Sequence, residues 1–228
     1  MPYSNLLFDL DNTLFDARTA ELLAFDHALQ SVGIPEPRRY LSIYEEINRA
    51  LWGAVERLEM TPDAVQARRF VDLAETAGLA VDTRVLADEF VIGMGRFGDL
   101  YEGAREVLLE LSSGTTLALV TNGLGQVQRA RIERLDLEPA FDAIIISGEV
   151  GTSKPGTDIF DLAFAALGWP PKDSALMIGD SLSSDVAGGT NYGIATCWYN
   201  PDGKPADPDA SIDHEIASLA RLPLLVFG

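Results

Sequence analysis

Leu6-Leu7-Phe8-Asp9-Leu10-Asp11-Asn12-Thr13-Leu14 is the stretch on which the fold turns. A short apolar run that stops at Asp, Asn and Thr has the length and the borders of a buried strand, and is too short for a helix. Side chains alternate along a strand, so Asp9 and Asp11 are expected to leave its carboxyl end on one side. Two carboxylates side by side at the end of a buried strand repel each other. They persist only where a cation, a proton or several hydrogen bonds compensate. The plain alternative is a strand that runs into an Asx turn with its acids in water.

The later sequence explains where this strand belongs. From about residue 100, β-like runs at Thr116–Thr121, Ala143–Ser147, Ala175–Ile178 and Ala195–Tyr199 alternate with helical periodicity at about 103–112, 125–136, 157–167 and 183–192. That alternation is the mark of a parallel sheet in a doubly wound α/β domain. Residues 16–99 differ, with helical periodicity at about 17–32, 40–57, 61–77 and 83–96. Thr61-Pro62 reads as an N-cap followed by a first-turn proline, and Gly33 and Gly78 stand where helices stop. The expected organisation is a discontinuous core, residues 1–15 and 100–228, interrupted by a four-helix module over 16–99. Gly93, Gly95, Gly98 and Gly103 read either as pivots between the two parts or as plain loop glycines.

Bulk properties narrow the function classes. A formal charge of −18 disfavours nucleic acid and anionic membranes as partners, because phosphate-rich surfaces want Lys and Arg. It does not exclude a small phosphorylated ligand, since surface charge is screened beyond about 8–10 Å at physiological salt. No apolar stretch approaches the roughly 20 residues that span a bilayer. The first residues, Met-Pro-Tyr-Ser-Asn, lack a basic n-region and a small-residue cleavage site, so the cytoplasm is the expected location. The single cysteine, Cys197, lies in an apolar run and reads as inert core. Two histidines and one cysteine leave too few ligands for a zinc site, so a metal, if used, is expected to be Mg²⁺ on oxygen ligands.

In an open α/β sheet, ligands bind at the carboxyl ends of the strands. The first run delivers Asp9 and Asp11; the second, Thr121-Asn122-Gly123; the third, a loop ending Ser153-Lys154-Pro155; the fourth, Gly179-Asp180 and, four residues later, Asp185. Each piece alone has an ordinary explanation. Thr121 and Asn122 can cap the next helix, Lys154 can be a solvated surface lysine, and Asp180 and Asp185 can balance a helix dipole. One rim that collects four aspartates, a hydroxyl, an amide and a lysine from four strand ends calls for a single site.

Asp9-Leu-Asp11-Asn-Thr13, Thr121-Asn-Gly, Lys154-Pro and Gly179-Asp180 with Asp185 resemble, in order and over the whole chain, the four signature motifs of the haloacid dehalogenase superfamily. The insertion after the first motif resembles that superfamily's helical cap of the first type. The stretch Gly179–Pro201, above all Thr196-Cys-Trp-Tyr-Asn-Pro, is similar to the pyrimidine 5′-nucleotidases of the superfamily. Glu102 stands where many relatives have proline, away from any catalytic position.

The resemblance implies a Rossmann-like core with a cap, and a Mg²⁺-dependent hydrolysis of phosphate monoesters. Asp9 would be the nucleophile that forms an aspartyl-phosphate, and Asp11 the general acid and then base, protonated at the outset beside its carboxylate neighbour. Asp9, the Asp11 carbonyl and Asp180 would hold Mg²⁺, with Asp185 orienting a water or Lys154. Thr121, the Asn122 N–H and Lys154 would bind phosphate. With Asp11 protonated, the remaining carboxylates exceed Lys154 by two negative charges, which a divalent cation cancels. The substrate would be a small phosphorylated metabolite, a pyrimidine nucleoside monophosphate first and phosphoglycolate or a sugar phosphate second. The chain would act as a monomer or homodimer. Phe15, Tyr44, Trp52 and Phe97 are candidates for stacking on a base, although such spacing is otherwise that of core aromatics. A dehalogenase needs no Mg²⁺, so Asp180 and Asp185 speak against it; a mutase would have to shield its phospho-intermediate from water. A receiver-like signalling module would carry its phosphoaspartate on another strand and lack a cap, and an idle binding protein would be expected to have lost a motif residue.

Overall fold

The chain opens with β1 (Asn5–Phe8), whose four residues are all buried. It then leaves the sheet for α1 (Ala17–Ser31), α2 (Leu41–Glu56), α3 (Pro62–Ala77) and α4 (Thr83–Arg96). It returns through α5 (Ala104–Ser112), β2 (Thr116–Thr121), α6 (Gly125–Arg134), β3 (Ala143–Ile146), α7 (Ser147–Val150) and α8 (Asp158–Ala166). The rest is β4 (Ala175–Gly179), α9 (Ala187–Tyr192), β5 (Ala195–Tyr199), β6 (His214–Ile216) and α10 (Leu222–Phe227). This computed structural model describes residues 3–206 and 210–228.

Among the described residues the strands form one six-stranded sheet in the order β3-β2-β1-β4-β5-β6, parallel throughout. β1 is central, with Leu6 opposite Leu117 of β2 and Leu176 of β4. The two-residue alternation is visible in the packing. Leu6 and Phe8 face a layer that includes Leu108, Leu111 and Leu222, whereas Leu7 faces Phe160, Phe164 and Tyr192 on the other side. Both faces are covered, which is why these strands read as continuous apolar runs. The α/β reading of the sequence therefore holds, helical cap included.

Four details differ from the sequence reading. β6 is a three-residue strand that its sequence, His-Glu-Ile, does not announce. β3 ends at Ile146, and Ser147 opens a short helix instead. The helix expected over 183–192 begins as a π turn, Leu182–Val186, before α9. Gly93 and Gly95 are neither pivots nor loop residues: both lie inside α4. A Cβ on Gly93 would stand 2.8 Å from the Cα of Ala24, and one on Gly95 2.8 Å from the Cβ of Ala130. They let α4 pack closely on α1 and α6.

The four inserted helices have their own apolar centre, with Phe25, Tyr44, Phe70, Leu73, Leu86 and Phe90 buried together. Their ends are fixed by ordinary local chemistry. The Asp16 carboxylate accepts from the Thr19 N–H at 3.0 Å, and Thr61 caps α3 ahead of Pro62. The two chain segments that join the insertion to the sheet run side by side. The Asp16 N–H donates to the Asp99 carbonyl at 2.9 Å and the Tyr101 N–H to the Leu14 carbonyl at 2.8 Å.

Candidate active site

β1 ends at Phe8, but pairing continues one residue further, because the Asp9 N–H donates to the Ile178 carbonyl at 2.9 Å. This fixes Asp9 at the carboxyl end of the central strand, with only 6% of its surface exposed. Its Oδ1 accepts from Lys154 Nζ at 2.7 Å and its Oδ2 from Thr13 Oγ1 at 3.2 Å. Lys154 is buried and reaches Asp185 Oδ1 at 2.7 Å as well. Asp185 rises from the π turn after β4, and its Oδ2 accepts from the Ser181 N–H at 3.0 Å. Asp180 follows β4 directly and is half-buried. Single carboxylate oxygens of Asp9, Asp180 and Asp185 lie within 4.8 Å of one another.

One lysine faces three aspartates in a poorly solvated place, and their ionisation registers the shortfall. Burial pushes the Asp9 carboxyl well above the usual carboxylate range; Lys154 opposes this, while Asp185, Asp180 and Asp11 add to it. Burial, then Asp185, pushes Asp180 up to about 7. Burial works against the charge of Lys154, but Asp185 and Asp9 outweigh it and leave the ammonium held above its ordinary value. Hard carboxylate oxygens converging with too little positive charge suit a divalent cation such as Mg²⁺.

The sequence expectations for the other site residues divide. Lys154 is no surface lysine, and the Asn122 side chain explains how its loop is fixed. Asn122 Nδ2 donates to the Lys154 carbonyl at 2.9 Å, and the Lys154 N–H donates back to Asn122 Oδ1 at 3.0 Å. The side chain of Asn122 thus serves the lysine. Thr121 is buried at the end of β2, where its Oγ1 accepts from Gln128 Nε2 at 2.8 Å.

Asp11 departs most from expectation. Its side chain does not join the cluster of Asp9, Asp180 and Asp185, because the backbone has left the strand and turned at Asn12, whose φ is 65°. The Asp11 carboxylate bonds the guanidinium of Arg131: Arg131 Nη1 donates to Asp11 Oδ1 at 2.6 Å. Gln128 Nε2 donates to its Oδ2 at 3.2 Å. Neither Gln128 nor Arg131 stood out in the sequence. The available signal was their position, since Val127, Gln128, Arg131 and Ile132 form the buried face of α6 and two of these four are polar.

Three of the four aromatic candidates prove to be core. Phe15 is fully buried under the Arg131 guanidinium, 4.5 Å from its ring centre. Tyr44 is buried in the cap centre and donates to Glu21 Oε1 at 2.6 Å. Phe97 packs edge-on against His27. Trp52 does border the cavity above the aspartates, together with Glu21, Asn48, Arg69, Phe90 and Met94 of the cap. There Asn48 Nδ2 donates to Glu21 Oε1, and Arg69 Nη1 donates to Tyr44 Oη at 3.3 Å while its guanidinium lies over Phe90. Asn48 Oδ1 and Arg69 Nε are buried with no hydrogen-bond partner among the described residues.

The pattern of the haloacid dehalogenase-like hydrolase family matches residues 6–199. The chain belongs to that family. The HAD-hydrolase YfnB of Bacillus subtilis is 34% identical over 96% of this chain and 94% of its own length. Pyrimidine 5′-nucleotidase PynA of Streptococcus pneumoniae is 32% identical over 97% of this chain and 94% of the relative. Pyrimidine 5′-nucleotidase YjjG of Escherichia coli is 32% identical over 96% and 98%. A crystal structure of YfnB bound to magnesium superposes with a TM-score of 0.90 and 33% identity, covering 99% of both chains. In this haloacid dehalogenase-like hydrolase Asp9 and Asp180 stand at the carboxyl ends of β1 and β4, adjacent strands at the middle of the sheet. Among the described residues no helix is long and apolar enough to cross a membrane.

Proposed function

We propose that this hydrolase removes phosphate from a small monoester through an aspartyl-phosphate on Asp9, with the helices over residues 16–99 acting as the cap. The observation that carries this reading is the buried lysine bridging two carboxylates: Lys154 Nζ stands 2.7 Å from both Asp9 and Asp185 beside a third acid, Asp180. Mg²⁺, held by the Asp9 and Asp180 carboxylates and the Asp11 carbonyl, would supply positive charge to a phosphoryl oxygen.

The chain's own residues do the rest. A carboxylate oxygen of Asp9 attacks phosphorus, and the ester oxygen leaves with a proton given by Asp11. Lys154 holds Asp9 in place and offsets charge on the phosphoryl oxygens, while Thr121 Oγ1 and the Asn122 N–H grip them. Asp11 then takes a proton from water, whose oxygen attacks phosphorus; the phosphorus–Asp9 bond breaks, and the Asp9 carboxylate and inorganic phosphate are restored. Asp185 keeps Lys154 aimed from behind.

The leaving group we favour is a pyrimidine nucleoside. Two relatives that align over nearly the whole chain are named pyrimidine 5′-nucleotidases. The cap side of the cavity is polar as well as aromatic, with the Asn48 amide and the Arg69 cation bordering it beside Trp52, groups of the kind that read a pyrimidine edge. Glu21 fixes the Asn48 amide, since a carboxylate can only accept and so takes the Nδ2 side. Phosphate release with Mg²⁺ from UMP, dUMP, dTMP, purine monophosphates, phosphoglycolate and sugar phosphates tests this reading, with Asp9→Asn as the blank. Preference for the pyrimidine esters is the expected result. Preference for phosphoglycolate or a sugar phosphate would keep the chemistry and overturn the substrate.

A further inference from the structure

Arg131 is the largest fully buried side chain among the described residues. A guanidinium out of water is costly unless its donors are matched. Its one carboxylate partner is Asp11, at 2.6 Å. Its Nε donates to the Met94 carbonyl at 2.9 Å, near the exit of the last cap helix, and its flat face lies on Phe15, in the segment that enters the cap. One turn earlier on the same face of α6, Gln128 divides its amide between Asp11 Oδ2 and Thr121 Oγ1, at 3.2 and 2.8 Å. Each Asp11 oxygen is therefore held by one donor and keeps a lone pair free for a proton, and Asp11 borders the cavity.

We propose that Arg131 and Gln128 are positioning residues for Asp11, aiming its carboxyl at the leaving-group oxygen and tying that aim to the cap through Met94. Thr121 grips phosphate and Asp11 serves the departing oxygen, so Gln128, which touches both, fixes the distance between the two tasks. This rests on the acid role proposed for Asp11. A torsion left loose at Asp11 costs proton delivery, a contribution of about 10²–10⁴ in rate when correctly placed.

The test compares kcat/KM for two esters, because that constant reports the step in which the ester bond breaks. A nucleoside 5′-alkoxide needs a proton to leave, whereas p-nitrophenolate does not. In Arg131→Gln and in Gln128→Met, the ratio of kcat/KM for UMP to that for p-nitrophenyl phosphate is expected to fall at least tenfold. Loss of folded enzyme scales both constants equally and cancels in the ratio, so a merely structural role leaves it unmoved. An unmoved ratio in both variants overturns the proposal. Asp11→Asn separates the two claims. If it lowers the ratio while the Arg131 and Gln128 variants do not, positioning fails alone; if it leaves the ratio unmoved, the acid role fails and positioning with it. With both claims correct, adding Arg131→Gln to Asp11→Asn lowers the ratio no further.

Discussion

The carboxylate of Asp185 occupies the space in which a Cβ on Gly179 would stand. β4 ends on that glycine, and the π turn folds Asp185 back against it, where Lys154 and the Ser181 N–H hold its two oxygens. The backbone here is extended, so the need for glycine is space and not conformation. Gly179→Ala is expected to displace Asp185 and loosen Lys154. Overpacking costs about 1–3 kcal/mol, seen as a lower urea midpoint, and turnover should fall by about 10²-fold as the site loses its geometry. Wild-type turnover in this variant would show that Asp185 is not needed where it stands.

Lys154→Met removes the one ammonium from a buried group of acids. Breaking a buried ion pair by deleting one partner costs about 3–5 kcal/mol, because the remaining charges are stranded. Urea unfolding in EDTA should register that loss. Phosphate release with Mg²⁺ should fall by about 10²–10³, the scale of one lost charge-stabilising donor. Unaltered stability in EDTA would contradict the burial and pairing described for this lysine.

Asp180 would set a pH window for the proposed Mg²⁺. Its folded pKa, about 7, lies above the ordinary carboxylate value of 3.8. The folded state therefore binds the extra proton between those values, and without a cation its stability falls as pH rises through that range. Mg²⁺ competes with that proton and supplies the missing charge, so metal binding strengthens with rising pH. At saturation near 100 Kd, Mg²⁺ adds about 2.7 kcal/mol, or roughly 5–10 °C in Tm for a chain of this size. Thermal melts with and without Mg²⁺ should show a larger increment at pH 8 than at pH 5.5. An increment that is equal at both pH values, or reversed, would remove Asp180 from the metal site.

The sheet and the motif residues were legible because they rest on local rules. Parallel strands buried on both faces must be apolar runs, and strand ends must carry the binding groups. Lys154 could be named from its motif, but its burial could not, since that depends on Asn122 clasping the loop from another strand end. Gln128 and Arg131 were missed because a polar residue on α6 looks solvated until Asp11, more than a hundred positions away, is packed against it. Phe15, Tyr44 and Phe97 follow the core alternative that their spacing also allowed, and of the four candidates Trp52 meets the cavity. Helical spacing places an aromatic on a face but does not say whether that face meets a cavity or another helix.

Cys197 sits fully buried in β5, and burial alone pushes its thiol up to about 12. At pH 8 the thiolate fraction is then about 10⁻⁴. The folded protein should not react with a thiol reagent such as Ellman's, and one equivalent should react in denaturant. Fast labelling without denaturant would mean that β5 opens readily.

Under the nucleotidase reading, Asn48 is the cap residue that would address the leaving group. It borders the cavity, and Glu21 orients its amide by accepting from Nδ2, which leaves Oδ1 as the side not bonded by the described residues. A pyrimidine ring would offer that oxygen a donor, an imide N–H or an exocyclic amine, once the side chain turns it out to the cavity. Asn48→Ala deletes the acceptor and leaves the ligand's donor unmatched. One such loss is worth about 1–3 kcal/mol, so kcat/KM for UMP should fall about 5–150-fold relative to p-nitrophenyl phosphate, mainly through KM. Asn48→Asp keeps an acceptor but sets a second carboxylate against Glu21, and should recover little. If Asn48→Ala lowers both esters in proportion, the cap network is scaffolding and the leaving group is read elsewhere in the cavity, with Trp52 the next residue to replace.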